Sequence, residues 1–428
     1  MCNSDASWSG SRLGVPGMPA LECARARAIR PHGRASSEPL VRVALVGPYP
    51  RDSSRVGGGV ETSLTYVASG LSRLEDVEPT VVSFAPDLDA PVRTSVDGIA
   101  VVHLPETRRL GNLTLRAAER RSLGRALAGL RPDVVHAQDA LRYGYLSLRA
   151  TDAPVAVSVQ GIVREEVKYA RSRAARMHLR LVGVSMQRYC IRHAPLLVTS
   201  TPYAAEYFGD DVRGRIVDVR NPVGDRFFEI DPAPEPGRIL YAGAVIPRKR
   251  LLDLVEALPR LVAEAPRTRL RVAGPERDPT YAARVRARVR ELGLESRVDF
   301  LGDTSPELLA DEYRHAAVFC LPSGQETSPL SIGEAMAAGL PVVAARAGGV
   351  AYLVDEGVTG YVTEPGDVAA LADRLSILVG GPGVGSSMGS AGRSTAERSF
   401  RVEVVAMRLR DEYEELRRTV ARRPHRPS

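Results

Sequence analysis

Short β-branched apolar runs alternate with stretches of helical periodicity along nearly the whole of this 428-residue chain. The predicted strands of the first half are Val41–Gly47, Thr80–Phe84, Ile99–Leu104, Asp133–Ala137, Pro154–Gln160 and Leu196–Ser200. Those of the second half are Arg238–Gly243, Arg269–Gly274, Arg297–Leu301, Ala317–Leu321 and Pro341–Ala345. Because parallel strands need a crossover that is usually a helix, the alternation predicts parallel sheets with helices on both faces. The predicted fold class is therefore α/β, with two doubly wound domains and a ligand-binding cleft between them.

The segment Asn221–Gly237 is rich in proline and acidic residues and predicts a linker between the two series. The predicted organisation is a disordered tail over 1–39, a first domain over 40–222, a second over 223–400, a helix over 401–419 and a basic tail over 420–428. The helix Val402–Arg418 is expected to pack back across the domain junction.

Composition argues against several classes of protein. No stretch of the chain approaches the ~20 apolar residues needed to span a bilayer. The four cysteines, Cys2, Cys23, Cys190 and Cys320, form no CxxC pair, which argues against a zinc site and favours a reducing, cytoplasmic compartment. The net charge of +7 favours anionic partners. Aromatic residues make up only 5% of the chain and form no basic motif, so nucleic acid is not an expected partner.

The segment Leu321–Ala344 predicts a strand, a loop, a short helix and a second strand. Ser328 is the predicted N-cap of this helix, and Pro329 suits its first position. Glu326 then lies just before the helix and Glu334 lies inside it, where exposed amides and the positive dipole end favour an anion. An ordinary cap and a surface carboxylate would also explain two acids, but the order of the surrounding residues favours a site for a phosphorylated, hydroxyl-bearing ligand.

Two other segments place glycines or cations directly after predicted strands. Gly57–Glu61 (GGGVE) would let backbone amides approach a phosphate, although a plain tight turn is the alternative. Tyr241–Lys249 (YAGAVIPRK) would place the Lys249 ammonium on a diphosphate, with Arg248 or Arg250 adding a second cation. Taken by itself, such a basic trio is more often solvated surface.

Three features carry weaker signals. Asp87–Asp89 (DLD) mimics a metal-binding acid pair but lies between prolines and is interpreted as a turn. Gly380–Gly389 is glycine-rich but follows no convincing strand, so a flexible loop is expected. His136, at the end of a predicted strand, is either a base or a core histidine, and the pattern by itself favours the core.

Glu326, seven intervening residues, Glu334 and the continuation EAMAAGLPVVA together resemble the second domain of the GT-B retaining glycosyltransferases of the family-four (group 1) type. The resemblance spans about Val41 to Leu416 and includes Asn221 at the domain junction. It implies two Rossmann-like domains, a nucleoside-diphosphate sugar as donor substrate, a hydroxyl acceptor, and neither a cofactor nor a metal.

The resemblance also implies a role for each candidate residue. Lys249 would bind the donor diphosphate, Glu334 the ribose hydroxyls and Glu326 the donor sugar. The catalytic candidates are Glu326, Lys249 and His136, and the donor-binding candidates are Gly58, Gly59, Arg248, Lys249, Gly274, Thr327, Ser328, Leu330 and Glu334. The first two glycines would approach the phosphate from the opposite domain, and the third would lie near the nucleotide base.

The chain departs from the family pattern at three positions. Ala244 stands where an arginine is frequent, and Gln138 and Gln160 stand where histidines are frequent. Neutral amides hold hydroxyls but cannot take a proton, so we expect same-face attack with the leaving phosphate accepting the acceptor's proton. The same departures leave a non-catalytic GT-B scaffold, which binds a nucleotide or partner, and a nucleotide-sugar epimerase as alternatives.

The stretch Arg164–His193 predicts one basic helix with an apolar side. Such a helix either packs on the core with a solvated face or lies on an anionic membrane, and the pattern by itself favours the core. Membrane contact would place the protein on the inner face of the membrane and imply a lipid-linked acceptor. The expected biosynthetic products are surface polysaccharide, glycolipid or a glycosylated metabolite.

Overall fold

The computed structural model describes residues 40–52, 57–106, 116–379 and 382–421. The predicted tail over 1–39 and most of the predicted basic tail lie outside the described residues, as does part of the glycine-rich segment.

The first lobe is built on an eight-stranded sheet. Its strands are β1 (Val41–Val46), β2 (Val77–Ala85), β3 (Val92–Val96), β4 (Ile99–Pro105), β5 (Val134–Ala137), β6 (Val155–Ser158), β7 (Leu196–Thr199) and β8 (Arg215–Asp218), in the spatial order β3-β4-β2-β1-β5-β6-β7-β8. Among the described strands of this sheet, only the edge strand β3 runs antiparallel, against β4. Successive residues of the central β1 enter two separate hydrophobic cores, one on each face, as expected for a strand covered by helices on both sides.

The helices of the first lobe cover these two faces. They are α1 (Gly59–Ser72), α2 (Ala117–Leu130), α3 (Arg142–Ala150), α4 (Val163–Glu166), α5 (Arg173–His178), α6 (Val184–His193) and α7 (Pro202–Phe208). The predicted single helix over Arg164–His193 is wrong, because the chain leaves helical geometry at Ala170 and then passes through a π-helical turn at Leu179–Gly183. A 3-10 turn, Val167–Tyr169, follows α4.

The second lobe carries a six-stranded sheet in which every strand pair is parallel. Its strands are β9 (Arg238–Ala242), β10 (Arg269–Ala273), β11 (Val298–Gly302), β12 (Val318–Leu321), β13 (Val342–Ala345) and β14 (Gly360–Thr363), ordered β11-β10-β9-β12-β13-β14. Its helices are α8 (Asp225–Phe228), α9 (Leu251–Glu264), α10 (Pro279–Glu291), α11 (Pro306–His315), α12 (Leu330–Ala337), α13 (Val368–Val379) and α14 (Pro382–Ser399). The predicted fold class, two Rossmann-like α/β lobes, is confirmed.

Two local predictions for the second lobe are wrong. The described part of Gly380–Gly389 is helical and belongs to α14, not to a flexible loop. Its glycines allow close packing, since a Cβ on Gly389 would lie 2.0 Å from the carbonyl oxygen of Gly339. Ser328 is also not the cap of α12, which begins at Leu330 and has no side-chain cap.

The last helix, α15 (Val402–Ala421), returns to the first lobe. Its residues Val405, Ala406, Leu409, Tyr413 and Leu416 belong to the hydrophobic core formed with α1 and β1. Its contact with α1 is close, because a Cβ on Gly70 would lie 2.8 Å from the carbonyl oxygen of Val402. The chain passes between the lobes twice, near Val223 and near Phe400. These two segments lie side by side, because the Val223 amide donates to the Phe400 carbonyl at 2.8 Å. No helix in the described ranges is both long enough and apolar enough to cross a bilayer.

Candidate active site

A cavity of about 540 Å³ lies between the two lobes, with its second-lobe wall at the carboxyl ends of the parallel strands. This is the edge at which doubly wound sheets bind ligands. The first lobe lines it with Gly57, Gly58, Gly59, Val60, Thr62, Gln160 and Glu166. The predicted site residues of the second lobe that line it are Arg248, Lys249, Gly274, Glu326, Thr327, Ser328, Leu330 and Glu334. The structure therefore brings all of the predicted donor-binding residues to one cavity.

Lys249 and Glu326 form an ion pair in this cavity. A 3-10 turn after β9 carries Arg248 and Lys249, and the Lys249 Nζ lies 2.6 Å from Glu326 Oε1. The Arg248 guanidinium lies 3.2 Å from Glu326 Oε2 and donates to the Gln325 carbonyl at 2.6 Å. Burial would raise the pKa of Glu326, but the two cations outweigh it and hold that pKa below its ordinary value. Glu326 is therefore anionic at neutral pH, and Lys249 is held in place by it.

Glu334 is buried on α12. The Tyr313 hydroxyl donates to its Oε2 at 2.9 Å. Burial raises the pKa of Glu334 to about 7, and neither this hydrogen bond nor the charges of Arg226 and Lys249 cancel the effect. The two glutamates of one motif therefore have opposite electrostatic environments: a carboxylate paired with cations and a carboxyl group that titrates near neutrality.

Three hydrogen bonds hold the loop between the glutamates. The Glu326 carbonyl accepts from the Gly349 amide at 2.9 Å, and the Thr327 carbonyl accepts from the Thr201 hydroxyl at 3.0 Å. The Ser328 carbonyl accepts from the Asn221 amide group at 3.2 Å. Within the described residues no protein group accepts from the amides of Thr327 and Ser328, so these donors remain for a ligand. Thr201 was not predicted, since it lies far from the loop in sequence.

The glycine loop supplies the opposite wall of the cavity. Gly57 is held from both lobes: its amide donates to Glu61 at 2.5 Å, and its carbonyl accepts from the Arg277 guanidinium of the second lobe. Arg277 also lines the cavity, and it adds a cation that the sequence analysis missed. Ala244 lines the same cavity and has no charge to offer, so Arg248 and Arg277 are the guanidinium groups near this position.

Gly274 shapes the floor of the cavity at the end of β10. Its φ is +138°, and a Cβ there would lie 2.2 Å from the Gly243 carbonyl oxygen. Only glycine lets the ends of β9 and β10 approach this closely. Gly274 therefore lies in the predicted site, and this position requires a glycine for steric reasons.

His136 is not part of the cavity, and its prediction as a catalytic residue is wrong. Its side chain is 1% exposed, with Nδ1 2.7 Å from the Tyr413 hydroxyl and Nε2 2.8 Å from the Ser158 hydroxyl. Burial lowers its pKa to about 3, so the ring is neutral. Gln138 is buried beside it, whereas Gln160 does line the cavity. His136 therefore joins β5, β6 and α15 within the core of the first lobe.

Glu166, on α4, is an acidic residue of the cavity that sequence reasoning missed. Burial raises the pKa of Glu166, the Arg248 charge lowers that pKa and the Glu326 charge raises it. Glu166 therefore faces these two residues across the cleft. Its carboxylate packs over Gly161, where a Cβ would lie 2.3 Å from its Oε1. Glu166 lies within the stretch Arg164–His193, which the sequence analysis treated as one basic helix without considering its acidic residues.

The predicted turn at Asp87–Asp89 contains an ion pair and no metal cluster. The Asp87 carboxylate lies 2.7 Å from the Arg51 guanidinium. Across residues 40–52, 57–106, 116–379 and 382–421, no three His, Cys, Asp or Glu side chains are close enough to hold a metal ion together.

Two family models match this chain. The model for "Glycosyl transferases group 1" matches residues 225–395, and the model for a "Glycosyl transferase 4-like domain" matches residues 58–222. The chain is 30% identical over 357 residues to an MMP alpha-(1->4)-mannosyltransferase of Mycolicibacterium hassiacum, covering 78% of this chain and 80% of that protein. It is 36% identical over 144 residues to a D-inositol 3-phosphate glycosyltransferase of Corynebacterium efficiens. That match spans 33% of this chain and about a third (34%) of the relative.

Solved structures share the fold. Sucrose-phosphate synthase from Thermosynechococcus elongatus superposes with a TM-score of 0.71 at 20% identity, over 89% of this chain and all (100%) of that one. The Anabaena protein HepE, solved in complex with UDP and glucose, superposes with a TM-score of 0.68 at 19% identity, over 88% of this chain and 100% of that one. With both halves matched by family models and a relative aligned over most of its length, this chain belongs to the group 1 glycosyl transferases and has their GT-B fold.

Proposed function

We propose that this protein is a retaining glycosyltransferase that moves a sugar from a nucleoside-diphosphate sugar to a hydroxyl group. The observation that carries the proposal is the Lys249–Glu326 ion pair, 2.6 Å long, beside the uncapped N-terminus of α12. A fixed ammonium and free helix amides stabilise a departing phosphate, and a carboxylate orients sugar hydroxyls. The UDP bound to HepE, which has the same fold, supports a nucleotide donor.

The donor is proposed to lie along the second lobe. Glu334 accepts from the two ribose hydroxyls, because an ionised carboxylate has enough lone pairs for both. Lys249 and the amides of Thr327 and Ser328 bind the diphosphate. Glu326 binds hydroxyls of the transferred sugar through the part of its carboxylate that the cations leave free. This arrangement uses protein cations and amides, and it includes neither a cofactor nor a metal among the groups that bind the diphosphate.

The proposed reaction is a same-face substitution. The bond from the anomeric carbon to the β-phosphate oxygen breaks, the acceptor oxygen bonds to that carbon on the same face, and the acceptor's proton passes to the departing phosphate. Lys249 stabilises the negative charge that grows on the phosphate as the bond breaks. Closure of the two lobes excludes water and limits hydrolysis of the donor.

The acceptor is proposed to bind on the first-lobe side of the cavity. Glu166 and Gln160 line this side, and both have oxygens that accept a hydrogen bond from a hydroxyl. They replace His136 in the proposed acceptor site, because that histidine is buried elsewhere. A carboxylate opposite Glu326 holds the attacking hydroxyl close to the anomeric carbon, which is the positioning that a same-face reaction needs.

The proposed setting is cytoplasmic biosynthesis of surface polysaccharide, glycolipid or a glycosylated metabolite. Cys190 and Cys320 are buried free thiols, which supports a reducing compartment. Attachment to the inner face of a membrane remains a prediction, and the exposed α5 is the part of Arg164–His193 that would make it.

The first test is a thermal-shift screen of nucleoside diphosphates and their sugars. A ligand at about 100 times its Kd stabilises the folded state by about 2.7 kcal/mol, so the screen reports both binding and the preferred base. Donor turnover is then followed as release of the nucleoside diphosphate, with and without candidate acceptors. Binding of a donor without release of its sugar to water or to any acceptor would favour the non-catalytic scaffold. Interconversion of the donor without release of nucleotide would favour the epimerase.

Lys249→Ala tests the phosphate role directly. Loss of one preorganised charge should lower turnover by ~10²-fold or more. The matched control is Arg260→Ala, which removes a 49% exposed cation from α9 of the same lobe. Near-normal turnover in Lys249→Ala, or an equal loss in the control, would rule out the assignment.

A further inference from the structure

A second cavity, of about 550 Å³, lies on the first lobe. It is formed by α4 with its following 3-10 turn, by α5 with its following π-helical turn, and by the start of α6. Its walls are Arg164, Val167, Lys168, Arg176, Arg180 and Val184, so four of its six lining residues are cationic.

Three of these four cations make no ion pair within the described residues. Lys168 pairs with Glu165 at 2.5 Å, but in the described part of the chain Arg164, Arg176 and Arg180 make no ion pair. Arg164 and Lys168, and likewise Arg176 and Arg180, are four positions apart in sequence, a spacing at which like charges on a helix repel each other. A concave surface lined by unpaired guanidinium groups attracts and concentrates anions.

The backbone around the cavity is unusual in two ways. None of the six residues of α5 is buried, so packing does not account for this helix. The π-helical turn that follows it packs closely on α4, since a Cβ on Gly183 would lie 3.1 Å from Val163 Cγ1. Single π turns within helices occur frequently at functional sites. Here the turn carries Arg180 into the cavity wall.

The cavity adjoins the proposed acceptor side of the cleft. Arg164 and Lys168 line the second cavity, and Glu166, between them in sequence, lines the first. One short helical segment therefore contributes to both sites. A molecule in the cationic cavity would lie beside the proposed acceptor site and on the opposite side of the cleft from Lys249.

We infer that this cationic cavity binds a phosphate ester carried by the acceptor. The inference rests on the proposed function, which supplies the acceptor. Guanidinium groups match a phosphate with paired hydrogen bonds, which a carboxylate-lined or apolar cavity could not offer. Beside the cavity, Met177 (57% exposed) and Leu181 (63% exposed) form an apolar pair four residues apart. A phosphate ester with an alkyl chain would contact this pair, whereas a soluble phosphate ester would not need it.

The first experiment measures binding of inorganic phosphate and glycerol phosphate by calorimetry on the full chain. A saturating nucleoside diphosphate is present, so that the donor cavity is occupied. The double variant Arg176→Ala/Arg180→Ala should weaken binding by about tenfold or more, because two charge-assisted contacts are lost. The control Arg173→Ala removes an exposed cation of α5 that does not line the cavity, and it should change binding less than about twofold. Unchanged binding in the double variant, or an equal loss in the control, would overturn the inference.

The second experiment distinguishes the sources of the phosphate. Flotation is compared on neutral vesicles and on vesicles containing acidic phospholipid, for the wild type and for Met177→Ser/Leu181→Ser. Binding of glycerol phosphate without flotation assigns a soluble acceptor. Flotation that both double variants lose assigns a phospholipid or lipid-linked phosphate. If neither probe binds, the inference is wrong.

Failure of this inference is distinguishable from failure of the proposed function. The variants of α5 and of the π-helical turn after it leave the donor cavity intact, so the thermal shift with a nucleoside diphosphate should persist in all of them. Loss of that shift in the wild type would instead count against the proposed donor.

Discussion

Glu334→Gln should weaken nucleotide binding and should make the folded protein more stable at pH 8 relative to pH 4.5. Burial raises the pKa of Glu334 from an ordinary value of 4.5 to about 7, so the folded protein holds a proton there more tightly than the unfolded chain does. Between these two pH values the stability of the wild type therefore falls as pH rises. A glutamine cannot ionise, and its carbonyl oxygen can still accept from the Tyr313 hydroxyl.

The magnitude follows from the width of that pH interval. At about 1.4 kcal/mol for each pH unit between 4.5 and about 7, the ionised carboxylate costs about 3 kcal/mol at pH 8. The free energy of unfolding of the variant minus that of the wild type should therefore rise by up to about 3 kcal/mol between pH 4.5 and pH 8. This comparison removes the part of the substitution's effect that does not depend on pH.

Urea unfolding without nucleotide, at pH 4.5 and pH 8, measures the effect. Glu364→Gln is the control, because that carboxylate belongs to the same lobe and is 68% exposed. The stability difference between each variant and the wild type should depend on pH more strongly for Glu334→Gln than for the control. A pH-independent difference for Glu334→Gln would refute the reasoning. Calorimetry at pH 8 should also show about tenfold weaker binding of the nucleoside diphosphate, since the amide has a single oxygen.

Three other substitutions test separate parts of the structure. Asn221→Ala removes the hydrogen bond to the Ser328 carbonyl and should lower turnover by ~10-fold to 10²-fold while nucleotide affinity changes little. Normal turnover would show that the loop does not need this hydrogen bond. Leu409→Ala should destabilise the protein by about 2–5 kcal/mol in urea unfolding, and a loss below about 1 kcal/mol would contradict the role of α15 in the first-lobe core. His136→Gln should keep turnover within about threefold of the wild type, and a large loss of turnover in folded protein would restore His136 as a catalytic residue. Burial lowers the pKa of this histidine from 6.5 to about 3, so below pH 6.5 the unfolded chain gains the proton first and the wild type loses stability. The variant should lose less stability over that pH range.

The sequence predicted the fold class and the second-lobe wall of the site because both depend on local patterns. Buried strands are β-branched runs, and Glu326 and Glu334 share one short segment whose order of strand, loop and helix is itself local. Contacts between residues that are distant in sequence could not be predicted from local patterns. Thr201 and Arg277 reach the site only after the lobes assemble, and His136 has its partners on β6 and α15.

Two errors came from applying local rules where packing decides. The glycines of α14 predicted a loop, but their lack of side chains allows a helix to lie against Gly339. The apolar and basic periodicity of Arg164–His193 predicted one helix, but it cannot reveal the break at Ala170 or the π-helical turn. Glu166 lines the first cavity, and Arg180 on the π-helical turn lines the second.

The return of α15 to the first lobe has a consequence for biosynthesis. Five apolar residues of that helix complete a core whose other members are encoded far earlier in the chain, between Val41 and Val219. During translation, the segment that starts with β1 leaves the ribosome with part of one face of its sheet uncovered, and that part stays uncovered until α15 has been synthesised. Such an exposed apolar surface is where chaperones bind and where nascent chains aggregate. A stop codon ahead of Val402 would therefore harm the half of the protein that is made first.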